Sequence, residues 1–237
     1  MKTVIVTGAA RGLGLAITER LVLQGYRVIG IGRSLTTEYQ DIMLRHSASF
    51  INFDLSDIEK IPDLVKSISQ SDGKIYGLVN NAGIGADGVL GTMHLTDINK
   101  VISVNLIASI IMTKYVSRKM LVHGEGRIVN ISSIIASTGF NGLAVYAASK
   151  AGLEGFTRSL SRELGRANIT VNCVAPGYME TEMTAGLSGE KFESVRRRAP
   201  LGLPTTEDAA GAVAYLLSGD ANRVSGTVLT VDGGSTA

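Results

Sequence analysis

A single cysteine, Cys173, stands in 237 residues, so no intrachain disulfide can form. Net charge is nearly absent: +2, spread along the chain. That leaves no electrostatic footprint for a nucleic acid. Only one tight basic run occurs, Arg196-Arg197-Arg198. It reads either as a solvated helix face or as a landing point for phosphate on a large substrate. His46, His94 and His123 give no metal-ligand spacing. No signal-peptide pattern precedes the first apolar strand. The most apolar helical stretch, Val101 to Met112, reads as broken by Asn105 and too short to span a bilayer. Linkers, repeats and low-complexity tracts are missing too. These absences leave one domain, residues 1–237, with a sizeable core and an expected cytoplasmic location.

What is present alternates. Apolar runs near residues 3–7, 27–31, 49–53, 75–79, 127–131, 169–174 and 227–231 read as strands, with helical patterns between most of them. Such alternation predicts an α/β fold: one doubly wound parallel sheet of about seven strands, with helices on both faces. Residues 178–204 are rich in Glu, Arg, Gly and Ser and lack a strand pattern. They read as an active-site lid of helices and loops. The first strand, Thr3 to Thr7, ends in Gly8-Ala9-Ala10-Arg11-Gly12-Leu13-Gly14, and a helix is predicted from Leu13 to Gln24. Strand, glycine-rich turn and helix form the phosphate-binding unit of a dinucleotide fold. The glycines let the backbone approach a pyrophosphate, and the helix start offers free N–H groups. The spacing here is G-x-x-x-G-x-G.

Tyr146 and Lys150 lie four residues apart in a helical stretch, Tyr146-Ala147-Ala148-Ser149-Lys150. One helical turn puts both side chains on the same face. A nearby ammonium favours the phenolate, so the tyrosine pKa is expected to be lowered. A tyrosine tuned that way can give a proton to a carbonyl oxygen or take one from an alcohol. Taken alone, Tyr-x-x-x-Lys is equally an ordinary helix surface.

Together these residues resemble the short-chain dehydrogenases/reductases over nearly the full chain. Thr7-Gly8 through Gly14 is similar to the family's T-G-x-x-x-G-x-G, and Asn80-Asn81-Ala82-Gly83 to its N-N-A-G. Asn105 stands where the family keeps a helix asparagine. Ser133, thirteen residues before Tyr146, stands at its catalytic serine. Pro176-Gly177 with Thr181 resembles P-G-x-x-x-T, and Val231-Asp232-Gly233-Gly234 the closing strand. The resemblance implies a Rossmann-like fold, with Asn105, Ser133, Tyr146 and Lys150 as the catalytic set. It implies a cofactor held by Gly8, Arg11, Gly12, Leu13, Gly14, Arg33, Asp54, Leu55, Asn81, Ala82, Gly83, Tyr146, Lys150, Pro176, Gly177 and Thr181. Ser133 would then hold a substrate carbonyl, Tyr146 would donate the proton, and Lys150 would bond the nicotinamide ribose and tune the tyrosine. Asn105 would anchor a water leading from Lys150 to solvent. Ser132 adjoins Ser133, and the thirteen-residue spacing favours Ser133.

The expected cofactor is NADPH/NADP+. An NAD site usually carries an acidic residue at the end of the second strand. Here that strand ends in Gly32-Arg33-Ser34. Arg33 and Arg11 suit a 2′-phosphate. Asp54 resembles the family's adenine-binding aspartate, and reads equally as a helix N-cap before Ile58. Within the family the chain looks like the 3-oxoacyl-(acyl-carrier-protein) reductases, through Gly126 to Ser133, Ala147 to Gly152 and Glu180 to Thr184. Four places depart from them: His123-Gly124-Glu125, Ala167-Asn168 after Arg166, Leu203 in Pro200-Leu201-Gly202-Leu203, and Ile84-Gly85-Ala86-Asp87-Gly88 after Gly83. The expected substrate is therefore a 3-oxoacyl thioester, on acyl carrier protein or CoA. Another small ketone or secondary alcohol is the alternative, and a non-enzymatic dinucleotide sensor a minor one. By the same resemblance a homotetramer is expected, built on the helix after Thr96 and the one from Tyr146 to Leu164. No nucleic-acid or membrane partner is expected.

Overall fold

Seven short runs rich in Val and Ile form seven strands in a computed structural model that describes residues 1–181 and 189–237. They are β1 (Thr3–Thr7), β2 (Arg27–Gly32), β3 (Ala48–Asn52), β4 (Ile75–Asn80), β5 (Gly126–Ile131), β6 (Ile169–Pro176) and β7 (Val228–Val231). They make one sheet in the order β3-β2-β1-β4-β5-β6-β7, with every neighbouring pair parallel. The chain winds outward from β1 to β3, returns to β4, and winds the other way. Between β1 and β4 the direction reverses, and the connections after them diverge to opposite faces. A crevice at the carboxyl ends of the strands is the ligand position such a reversal creates. The strand bounds differ from the sequence reading by at most two residues at an end.

The described helices are α1 (Gly12–Leu23), α2 (Thr37–Arg45), α3 (Ile61–Ser71), α4 (Leu95–Ile102), α5 (Ala108–His123), α6 (Ile135–Thr138), α7 (Ala144–Leu164), α8 (Gly189–Arg197) and α9 (Thr206–Leu217). Strand side chains alternate between two cores. Val4, Val6, Val28 and Val129 pack with Leu13, Ile17 and Leu21 of α1 and with the buried face of α9. Ile5, Ile29, Ile31 and Ile128 pack with α3 and α5 on the other face. Each such buried aliphatic side chain contributes about 1.5–3 kcal/mol. Cys173 is fully buried in β6, as its apolar surroundings predict.

One expectation is corrected here. Asn105 does not break its helix. A π-helical turn, Ser103–Ile107, carries it and joins α4 to α5. The whole stretch Leu95–His123 has 29 residues and is long and apolar enough to cross a bilayer by length and composition. It lies along the sheet instead, with Ala108, Met112, Val116 and Met120 in the core. The periodicity failed because a π turn inserts one residue and shifts the apolar face. In the expected lid, α8 is the described helix. Glu182, Met183 and Thr184 of the motif read there lie outside the described residues.

Candidate active site

The glycine loop owes its shape to close backbone packing. A Cβ at Gly14 would stand 2.0 Å from the Gly8 carbonyl oxygen. One at Gly8, whose φ is +64°, would stand 2.9 Å from the Ala82 Cα. So the loop is pressed against Asn81-Ala82-Gly83. The Asn81 amide donates to the Thr7 and Gly8 carbonyls at 2.9 and 3.1 Å. The Thr7 hydroxyl accepts from the Asn81 and Ala82 N–H groups, both at 3.0 Å. Nothing in the motif spacing marks Thr7 for this role; these bonds make it the brace of the loop. Leu13 and Leu55 are buried. Gly12 faces Thr181, with a would-be Cβ 3.9 Å from the threonine methyl. Pro176 ends β6, and Gly177 donates to the Val231 carbonyl at 2.8 Å, which sets the Pro176-Gly177 turn beside β7. The glycine loop, which packs so closely only because Gly8 and Gly14 lack a Cβ, fits a dinucleotide pyrophosphate.

Beyond the loop, Arg11 and Arg33 are exposed at the end of β2. Arg11 donates to the Ser34 hydroxyl at 3.4 Å, next in sequence to Arg33. Thr36 caps α2 and also donates to the Ala10 carbonyl at 2.8 Å, so α2 and the glycine loop hold each other. Asp54 does not cap a helix. Its carboxylate accepts from the Ser56 N–H at 2.9 Å in a local turn. That bond holds its pKa below the usual carboxylate range, and Arg33 and Lys100 add to the shift.

The proposed catalytic residues come together from three elements. The Gly152 surface meets Leu106, where a Cβ would stand 2.9 Å from the leucine side chain. Close approach there brings α7 against the π turn. The Asn105 amide is pinned in that gap: it accepts from the Ile84 N–H at 2.8 Å and donates to the Ile84 carbonyl at 3.0 Å and to Ser149 at 3.2 Å. Ser149 in turn donates to the Tyr146 carbonyl at 2.7 Å. It was missed because nothing in Tyr-x-x-x-Lys marks the residue between. Lys150 is buried, donates to the Ile131 carbonyl at 2.8 Å, and lies 5.6 Å from the Tyr146 ring centroid. Ser133 lies beside the Tyr146 hydroxyl and lowers its pKa, whereas Ser132 donates to Glu154 at 2.8 Å. The spacing argument for Ser133 agrees with this arrangement.

The expected direction of the tyrosine shift is corrected. Burial raises the Tyr146 pKa, and the bond from Ser133 only partly offsets it. Burial also lowers Lys150 to about 8, so its ammonium is itself weakened. The ammonium sits by the ring and spends a proton on the Ile131 carbonyl, rather than meeting the phenol oxygen. The site can therefore hold a carbonyl oxygen between the Ser133 and Tyr146 hydroxyls, with a protonated phenol ready to donate. Among the described residues no cluster of His, Cys, Asp and Glu could hold a metal ion.

The family model described as Enoyl-(Acyl carrier protein) reductase matches residues 8–236. The 3-oxoacyl-(acyl-carrier-protein) reductase FabG of Vibrio harveyi is 38% identical, over 98% of this chain and 96% of its own. That of Aquifex aeolicus is 39% identical, with the same coverage of 98% and 96%. A gluconate 5-dehydrogenase structure from Burkholderia cenocepacia, in complex with NADP and tartrate, matches with a TM-score of 0.95 at 28% identity, covering 99% of this chain and 95% of that one. A candidate NAD(P)-dependent gluconate 5-dehydrogenase from Beutenbergia cavernae, with NADP at low occupancy, matches with a TM-score of 0.94 at 35% identity, covering 99% and 96%.

Proposed function

The chain belongs to the short-chain dehydrogenase/reductase family of oxidoreductases, and from that membership we propose that it reduces the 3-keto group of an acyl thioester with NADPH. The similarity to 3-oxoacyl-(acyl-carrier-protein) reductases across 98% of this chain and 96% of theirs carries the reading. When bound, NADPH supplies the hydride. Gly8, Gly12 and Gly14 would hold its pyrophosphate, Arg11 and Arg33 its 2′-phosphate, and Lys150 the nicotinamide ribose. Asp54 and Leu55 would flank the adenine, Asn81, Ala82 and Gly83 the adjoining ribose, and Pro176, Gly177 and Thr181 the nicotinamide end. Ser133 donates to the substrate carbonyl oxygen and orients it. Tyr146 gives that oxygen a proton as the carbonyl carbon is reduced. Lys150 and Asn105 form the route by which the phenol regains its proton.

Two features leave the acyl carrier open. Glu125 is tied to Lys74 at 2.6 Å, so the segment before β5 offers no unpaired cation there. Arg166 sits in the turn Gly165–Ala167, with neutral residues after it. The gluconate 5-dehydrogenase likeness supports a second reading, oxidation of a secondary alcohol on a small hydroxy acid. A panel separates the two: acetoacetyl carrier protein, acetoacetyl-CoA, 5-ketogluconate and unrelated ketones, each with NADPH and NADH. The first reading expects the highest kcat/KM on the carrier-bound thioester with NADPH. Highest kcat/KM on 5-ketogluconate replaces it with the second. Tight NADPH binding with no oxidation across the panel favours a sensor.

The same reading includes a homotetramer. Val101 and Met112 fill the core, but Val104, Ile107, Ile110 and Ile111 are left partly uncovered along one helix. Two such helices meeting across a two-fold axis would cover them. Sedimentation at micromolar protein should give four chains' mass, and a monomer mass would refute the interface.

A further inference from the structure

Glu154 lies one helical turn beyond Lys150 on α7, and its side chain is only 14% exposed. A carboxylate so covered needs partners. Its nearest is the Ser132 hydroxyl, which donates to it at 2.8 Å and also lies 3.4 Å from the Lys150 carbonyl. Arg158, one further turn along, approaches to 3.8 Å from the exposed side. Ser132 is 2% exposed, and its N–H donates to the Val174 carbonyl at 2.8 Å. Two residues on, Ile134 donates through its N–H to the Pro176 carbonyl at 3.1 Å. So the backbone on both sides of Ser133 is tied to β6, and the Ser132 side chain ties the same stretch to α7 through Glu154.

We propose that Glu154 is a positioning residue for the reaction: through Ser132 it fixes the exit of β5 against α7, so that the Ser133 hydroxyl meets Tyr146. Two elements must agree for that meeting, because Ser133 follows β5 while Tyr146 rides on α7. Lys150 holds the Ile131 carbonyl at 2.8 Å, which joins the same two elements from the other side of Ser132. Ser132 therefore sits between two ties, and loss of the outer one leaves the Lys150 bond alone to set α7 against the strand end. The groups facing Glu154 are Arg158 on its own helix, Ser132 on the β5 exit, and the buried Cys173 thiol on β6. None competes for the oxygen that Ser132 uses. The inference rests on the pairing of Ser133 with Tyr146, which holds whichever carbonyl is the substrate.

The test reads Tyr146 directly. Phenolate ultraviolet absorbance is titrated in the wild type, Glu154→Ala, Glu154→Gln and Ser132→Ala, each corrected by the same variant carrying Tyr146→Phe. Ser133 beside the phenol partly offsets the rise that burial causes. Glu154→Ala and Ser132→Ala should therefore move the Tyr146 titration upward. Glu154→Gln, whose amide oxygen still accepts from Ser132, should stay with the wild type. On any ketone the wild type reduces, the two alanine variants should lose about tenfold in kcat, with NADPH affinity unchanged. Combining them should cost no more than one alone, since they cut the same tie. An unmoved Tyr146 titration in Ser132→Ala overturns the proposal. So does a Glu154→Gln variant that behaves like Glu154→Ala, since charge and not the bond would then matter. Because the titration needs no substrate, a failed thioester assignment would show separately, as wild-type inactivity on the panel.

Discussion

Tyr146→Phe should bind NADPH within a few-fold of the wild type and lose about 10²–10⁴ in kcat, the usual contribution of a positioned proton donor. The ring still packs on α7, while the transferable proton is gone. A single-turnover measurement at saturating NADPH checks this, since binding and chemistry are then read apart. Wild-type-like turnover would remove Tyr146 from the chemistry. The raised phenol pKa adds a direction with pH. Ketone reduction needs the protonated phenol, which a raised pKa preserves through neutral pH. Reduction should therefore fall only on the alkaline side, and the reverse oxidation should climb over that same range. If NADP+ binds with its positively charged nicotinamide near Tyr146, that charge would favour the phenolate, and the midpoint in the oxidised complex should lie below that of the chain alone.

The parallel sheet was legible because its strands are buried on both faces. Runs such as Thr3 to Thr7 are β-branched throughout and fully buried, and a glycine-marked turn follows. The site was legible where chemistry demands residue types at fixed spacings: Gly8 and Gly14 for close approach, Tyr146 and Lys150 for one helical turn. It was not legible where a role depends on contacts distant in sequence. Thr7 bonds Asn81 and Ala82 across two strands. Ser149 meets Asn105 only because a π turn swings the asparagine inward. Glu154 on a helix reads as a solvated charge until Ser132 is seen beside it. The sign of the Tyr146 shift failed for a related reason. Spacing told where the ammonium would be, but not that burial of both groups would outweigh it.

Arg33→Asp should invert the cofactor preference. Arg33 is exposed at the end of β2, where a family member that uses NAD would carry an acidic residue. Arg11 reaches the same rim through Ser34. Two guanidiniums there can take a 2′-phosphate dianion in charge-assisted bonds. Losing one such contact costs about 1.5–3 kcal/mol, which is about tenfold or more in affinity. Arg33→Ala should therefore weaken NADPH by about that factor and leave NADH nearly unchanged. Arg33→Asp should weaken NADPH further, because the carboxylate repels the phosphate. It should also improve NADH, by accepting from the free 2′-hydroxyl. The rim limits the gain: Asp54 already lies close enough to feel the Arg33 charge, so a second carboxylate would raise the local negative potential. NADH, with only its pyrophosphate charged, tolerates that better than NADPH. The ratio of kcat/KM for NADPH to that for NADH, measured on one substrate, is the readout. A wild type that already favours NADH, or a ratio that neither substitution moves, would take Arg33 out of the cofactor site.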